Sequence, residues 1–69
     1  MERVQVESSN IASIGYDGNT STLEIEFLNG SVYQYYDIPE YVYDELMSAD
    51  SHGSYLASNI KGTYNYSKV

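Results

Sequence analysis

The chain has 69 residues, ten acids against three bases, a net charge of −7, nine tyrosines, one histidine and no cysteine or tryptophan. The absence of cysteine excludes disulfides and thiolate metal sites, and a lone histidine excludes a multi-histidine site. A chain this short makes one domain with a small core, and its net acidity opposes non-specific attraction to nucleic acid or anionic membrane.

Met1–Ser9 alternates Val4 and Val6 with polar residues and reads as a short edge strand or an arm. It contains no apolar run of signal-peptide length. Nothing in the chain approaches a membrane span, so a soluble, cytoplasmic protein is expected. Asn10–Tyr16 reads as the first secure strand. Ile14 and Tyr16 share a face, but Ile11 falls out of phase with them; that mismatch, together with Gly15, implies a bulge or a late strand start. Asp17–Ser21 is a turn by composition.

Thr22–Ile38 carries the strongest pattern: two alternating runs around Asn29-Gly30, a β-hairpin signal. Leu23, Ile25 and Phe27 form an apolar face and Glu24 and Glu26 an acidic one. A two-residue type I′ turn would place Val32, Gln34 and Tyr36 beside the apolar face. A type I turn with Gly30 in a left-handed bulge shifts the register by one and places Ser31, Tyr33 and Tyr35 there. The first choice buries the Gln34 amide, at about 1–3 kcal/mol if it is unpaired. The second buries two aromatic bodies whose hydroxyls can reach the sheet edge, and it is the register expected.

Asp37-Ile38-Pro39 ends the sheet, and a helix is expected over about Pro39–Ala49, burying Val42 and Leu46. Ser51 is placed to cap a second helix, with Tyr55, Leu56 and Ile60 at buried spacing and Gly62 at its end. Thr63–Val69 alternates Tyr64 and Tyr66 with polar residues, as an added edge strand would. The fold class expected is α+β: an antiparallel meander of three or four strands with two helices on one face, as a single domain over 1–69. Its expected core is Leu23, Ile25, Phe27, Tyr33, Tyr35, Val42, Leu46, Leu56 and Ile60.

No constellation carries catalytic chemistry. Asp50, Ser51 and His52 are adjacent in sequence, whereas a triad needs three side chains converging in space; Ser51 reads as a cap and His52 as exposed. Asp17, Asn19 and Ser21 open like a calcium loop, but Thr22 stands where glycine is needed and Leu28 where glutamate is needed. Glu24 and Glu26 share a strand face without a cleft and read as solvated surface, not an acid/base pair. Asn19, Asn29 and Asn65 each begin an N-x-S/T triplet, read here as coincidence. No cofactor or metal is expected, and the protein is not expected to be an enzyme.

Ser8-Ser9-Asn10-Ile11, Ile14-Gly15-Tyr16-Asp17, Tyr33-Gln34-Tyr35, Ile38-Pro39 and Ser51-x-Gly53-x-Tyr55, in that order, resemble the KTSC domain. That family is found at the C-terminus of some lysyl-tRNA synthetases and as small stand-alone proteins. The resemblance covers nearly the whole chain, and Tyr33 and Tyr35 fall on the family's Y-x-Y motif. It implies a small binding module for RNA or an RNA-bound partner, with no catalytic residue to carry over. The alternative is a protein-interaction or homo-oligomerising domain.

Charge then decides where RNA is expected. All ten acids lie in residues 1–50, and residues 51–69 hold Lys61, Lys68 and no acid. Glu24 and Glu26 sit on the strand beside Tyr33-x-Tyr35, with Asp37, Glu40, Asp44 and Glu45 following. Like charges within about 8 Å repel a phosphate backbone at physiological salt. The tail interleaves cations with aromatics, as single-strand binding requires, so Lys61, Tyr64, Tyr66 and Lys68 are the expected contacts. Tyr33 and Tyr35 are expected to serve the core.

Overall fold

The computed structural model describes residues 1–69. Its register originates in the hairpin turn. Phe27 N donates to Ser31 O at 2.8 Å, Gly30 N donates to Phe27 O at 2.9 Å, and Gly30 has φ +90°. This is a type I turn followed by a left-handed glycine bulge. Asn29 Oδ1 accepts from Ser31 N at 3.0 Å and closes it. Strands β3 (Thr22–Phe27) and β4 (Val32–Tyr35) therefore pair Leu23 with Tyr35 and Ile25 with Tyr33. Both tyrosines fall on the apolar face, as the bulged turn requires. Gln34 falls on the other face, where Nε2 donates to Glu24 Oε1 at 2.9 Å.

The sheet has five antiparallel strands in chain order, one more than the upper expectation. The extra elements are the short end runs, β1 (Arg3–Gln5) and β5 (Tyr66–Lys68), each three residues long. Such runs are too short to be secure by pattern alone and form because a neighbouring strand offers an unpaired edge. β1 lies against β2 (Ile11–Asp17), with Arg3 opposite Gly15. A Cβ at Gly15 would meet the Glu2 carbonyl oxygen at 2.7 Å, so the close approach of β1 requires glycine. The register between β2 and β3 shifts between Ile11 and Ser13, leaving Ala12 as the extra residue. The bulge restores Ile11 to the face of Ile14, and both are fully buried.

After β4 the chain turns at Asp37, whose φ is +60°, and Tyr16 Oη donates to the Ile38 carbonyl at 2.5 Å. Pro39 caps α1 (Glu40–Ser48), which buries Val42 and Leu46. Tyr43 stacks on Tyr16, with ring centroids 4.9 Å apart. Ser51 Oγ accepts from Ser54 N at 3.2 Å and caps α2 (His52–Tyr55). The helix continues as one π turn over Leu56–Ile60, where Lys61 N donates to Leu56 O at 2.9 Å. That turn keeps Leu56 and Ile60 on the buried side, and the chain leaves it through Gly62 at φ +80°.

The helices cover one sheet face, enclosing Ile11, Ile14, Leu23, Ile25, Tyr35, Ile38, Val42, Leu46, Leu56 and Ile60. Phe27 and Tyr33, expected in the core, are only half-buried and pack against its edge. The other sheet face is polar. There Arg3 Nη1 bridges to Glu24 Oε2 at 3.0 Å, and Ser13 Oγ donates to Glu26 Oε1 at 2.8 Å.

Candidate nucleic-acid interface

Strand β5 is what assembles the site. It pairs with the outer edge of β4, setting Tyr66 opposite Tyr35 and Lys68 opposite Tyr33. Paired residues point to the same face of a sheet, so Tyr66 and Lys68 join Tyr33 and Tyr35 on the apolar face. The helices end before covering this corner. The result is an open groove of about 550 Å³, lined by Phe27, Tyr33, Tyr35 and Tyr66 from the strands, Asn29 and Ser31 from the hairpin turn, and Lys61 and Gly62 from the end of the π turn.

The rings are mutually braced. Phe27 and Tyr33 meet edge to face at 5.7 Å. Tyr66 lies 5.8 Å from both Tyr33 and Tyr35, tilted to each. Lys61 Nζ stands 5.3 Å above the Phe27 centroid, a cation–π contact. Tyr35 is 3% exposed, and burial, followed by the proximity of Tyr33 and Tyr66, raises its phenol pKa. The phenol is therefore protonated and uncharged at physiological pH. Tyr66, by contrast, is 59% exposed and presents its ring to solvent.

No carboxylate lines the groove. Glu24 and Glu26 alternate with Leu23, Ile25 and Phe27 along β3, so they project from the opposite face, where Arg3, Gln34 and Ser13 hold them. The side chains of Glu24 and Glu26 therefore do not share a face with those of Tyr33 and Tyr35. The motif and the basic tail form one surface, not two competing ones. Of the tail residues, Lys61 and Tyr66 line the groove and Lys68 sits on its strand. Tyr64 does not line it; that side chain is half-buried against the core. Phe27, Asn29 and Ser31 also line the groove, beyond the residues to which the sequence points. Their only sequence signal was position in and beside a turn, which becomes a groove wall once β5 docks alongside.

The remaining candidates are occupied by structural work. Ser51 Oγ donates to Ser54 Oγ at 3.0 Å while capping α2. His52 is half-buried, not exposed: Nδ1 donates at 2.8 Å to the Leu46 carbonyl, which also accepts from Ala49 N at 3.3 Å, so the ring ties α2 to the end of α1. Asp17 Oδ1 accepts from Asn19 N at 2.9 Å within the turn. No cluster of three His, Cys, Asp or Glu side chains is arranged to hold a metal ion. No helix is long and apolar enough to cross a membrane.

The family model described as KTSC domain matches residues 7–66. The crystal structure of a KTSC domain protein from Yersinia pestis superposes with a TM-score of 0.93 at 42% identity, covering 99% of this chain and 96% of that one. An uncharacterized protein from Stutzerimonas stutzeri is 37% identical over 70 residues, covering 100% of this chain and 99% of its own. The lysine–tRNA ligase of Trichormus variabilis is 41% identical over 63 residues, or 91% of this chain. The chain spans only 11% of the length of that ligase.

Proposed function

The chain belongs to the KTSC domain family, and from that footing we propose that it is a non-catalytic binding module whose groove takes single-stranded RNA. The family occurs both in small proteins of this length and within lysine–tRNA ligases, enzymes that act on an RNA. That context supports an RNA-related role in the cytoplasm. The observation that carries the reading is the groove itself: Tyr33 and Tyr66 presented beside Lys61 and Lys68, with no carboxylate among its walls. Aromatic faces stack on bases at about 1–3 kcal/mol each, and lysines follow the phosphates. An acidic surface elsewhere restricts a polyanion to this one corner.

The test is a titration of labelled single-stranded RNA at low salt. Lys61→Glu with Lys68→Glu should abolish binding, Tyr66→Ala should weaken it about tenfold, and Glu24→Gln should leave it unchanged. Equal binding by wild type and the double lysine variant overturns the reading.

A second reading, self-association or binding of a protein partner, draws on the outer edge of β5. That edge has no neighbour, and Tyr66 and Val69 beside it are 59% and 63% exposed. An unpaired strand edge is a template for another strand, although the brevity of β5 and the charge of Lys68 oppose such pairing. Sedimentation at increasing concentration distinguishes it: an association insensitive to salt and independent of RNA supports this reading over the first.

A further inference from the structure

The groove does not end at Phe27. A second, shallower depression of about 370 Å³ lies on the far side of that ring, lined by Ser9, Asn10 and Leu28, and it shares Phe27, Asn29 and Lys61 with the first. Lys61 thus stands at the divide between two basins. The first basin is aromatic. The second has a different chemistry: a Leu28 side chain 62% exposed, flanked by two asparagines.

Both asparagines are held in place. Asn10 Oδ1 accepts from Ser8 Oγ at 3.1 Å, and the Asn10 carbonyl accepts from Leu28 N at 2.9 Å. Helix α2 passes so close that a Cβ at Gly53 would fall 2.5 Å from Asn10 Oδ1. Asn29 Oδ1 is committed to Ser31 N at 3.0 Å. With both carbonyl oxygens engaged, the basin offers amide N–H donors around an apolar platform. That is the chemistry that receives a nucleobase: an apolar surface for the ring and donors for its edge acceptors.

We propose that the two basins form a dinucleotide site. One base stacks on Tyr33 and Tyr66, the next lies over Leu28 between Asn10 and Asn29, and the phosphodiester joining them is held by Lys61. The inference rests on the RNA reading above and adds its register: Lys61 neutralises the internal phosphate, and Leu28, in a turn of no evident structural need for leucine, carries the second base. Moving Lys61 Nζ from the Phe27 face to a phosphate exchanges a weak contact for a charge-assisted one.

The experiment is an amide-resolved NMR titration of the whole chain with AMP, ADP and the dinucleotide pApA, alongside an oligoadenylate of about eight nucleotides. ADP adds charge to AMP without adding a base. The expected result is that pApA binds about tenfold more tightly than ADP and shifts Asn10, Leu28 and Asn29 in addition to Tyr33 and Tyr66. Leu28→Ser, at an exposed turn position, should remove that gain and leave AMP binding intact. If the oligonucleotide binds but ADP and pApA bind alike, or the shifts stop at Phe27, the dinucleotide site is wrong and the RNA reading stands. If neither the oligonucleotide nor the short ligands bind, both fall.

Discussion

Gly30→Ala isolates the feature on which the site depends, the register of the hairpin. A Cβ at residue 30 meets nothing within 4 Å, so the substitution introduces no clash. The cost is backbone alone: φ is +90°, and an L-residue held in that region loses about 1–2 kcal/mol. The unfolded chain becomes stiffer at the same time, which returns about 0.4–1 kcal/mol. The net destabilisation is about 1 kcal/mol, or about 4–8 °C in melting temperature for a domain of this size. Gly18→Ala is the control. Its φ is not positive, and its Cβ would make only ordinary contact, 3.8 Å from the Tyr16 ring, so stability should hold or rise slightly. Denaturant unfolding of both variants at equal slope measures the difference. A Gly30→Ala protein as stable as wild type would mean that residue 30 is not left-handed. The bulge would then be absent, and Tyr33 and Tyr35 would leave the groove face.

Leu46 is fully buried and Phe27 only half-buried, so Leu46→Ala should cost about 2–5 kcal/mol and Phe27→Ala clearly less, read as denaturant midpoints. The same Phe27→Ala variant should lose RNA affinity out of proportion to its stability. Two lysines at the groove predict that the logarithm of RNA affinity falls against log salt with a slope of about −1.4; a slope near zero, or one steeper than about −3, would place the contact elsewhere. Tyr55 Oη donates to Glu45 Oε1 at 2.6 Å, and that bond, above burial and nearby charge, pushes the phenol up to about 12. A raised folded pKa favours the protonated phenol. This contribution to stability is therefore complete below the ordinary value of 10.0 and lost as pH rises from there through about 12. Glu45→Gln should bring the Tyr55 transition down toward 10.0 in a ring-carbon NMR titration, and no change would show that the bond does not form in solution.

Much of the scaffold is a matter of local chemistry and is readable from the chain. Asn29-Gly30 between alternating runs dictates a hairpin, and the cost of burying Gln34 selects the bulged register over its rival. The phase break between Ile11 and Ile14 marks the bulge at Ala12, since a strand can restore both to one face only by inserting a residue. Pro39 and Ser51 announce their helices because each satisfies or spares the first free amides. These signals act over a few residues and need no partner distant in sequence.

The site depends on a contact of the other kind. Whether Tyr66 and Lys68 lie in solvent or beside Tyr35 and Tyr33 is decided by the pairing of β5 with β4, across some thirty residues that include both helices. A three-residue strand carries too little pattern to specify such a partner; the edge of β4 and the exit from the π turn at Gly62 select it. The same pairing sets which charges matter. Net acidity and the spacing of Glu24 and Glu26 are properties of the sequence, but the face they occupy relative to the tyrosines is not. The pleat of β3 puts those carboxylates on the far side of the sheet from Lys61. Composition determined that the protein is acidic and rich in tyrosine, and tertiary pairing determined that its aromatic corner is not acidic.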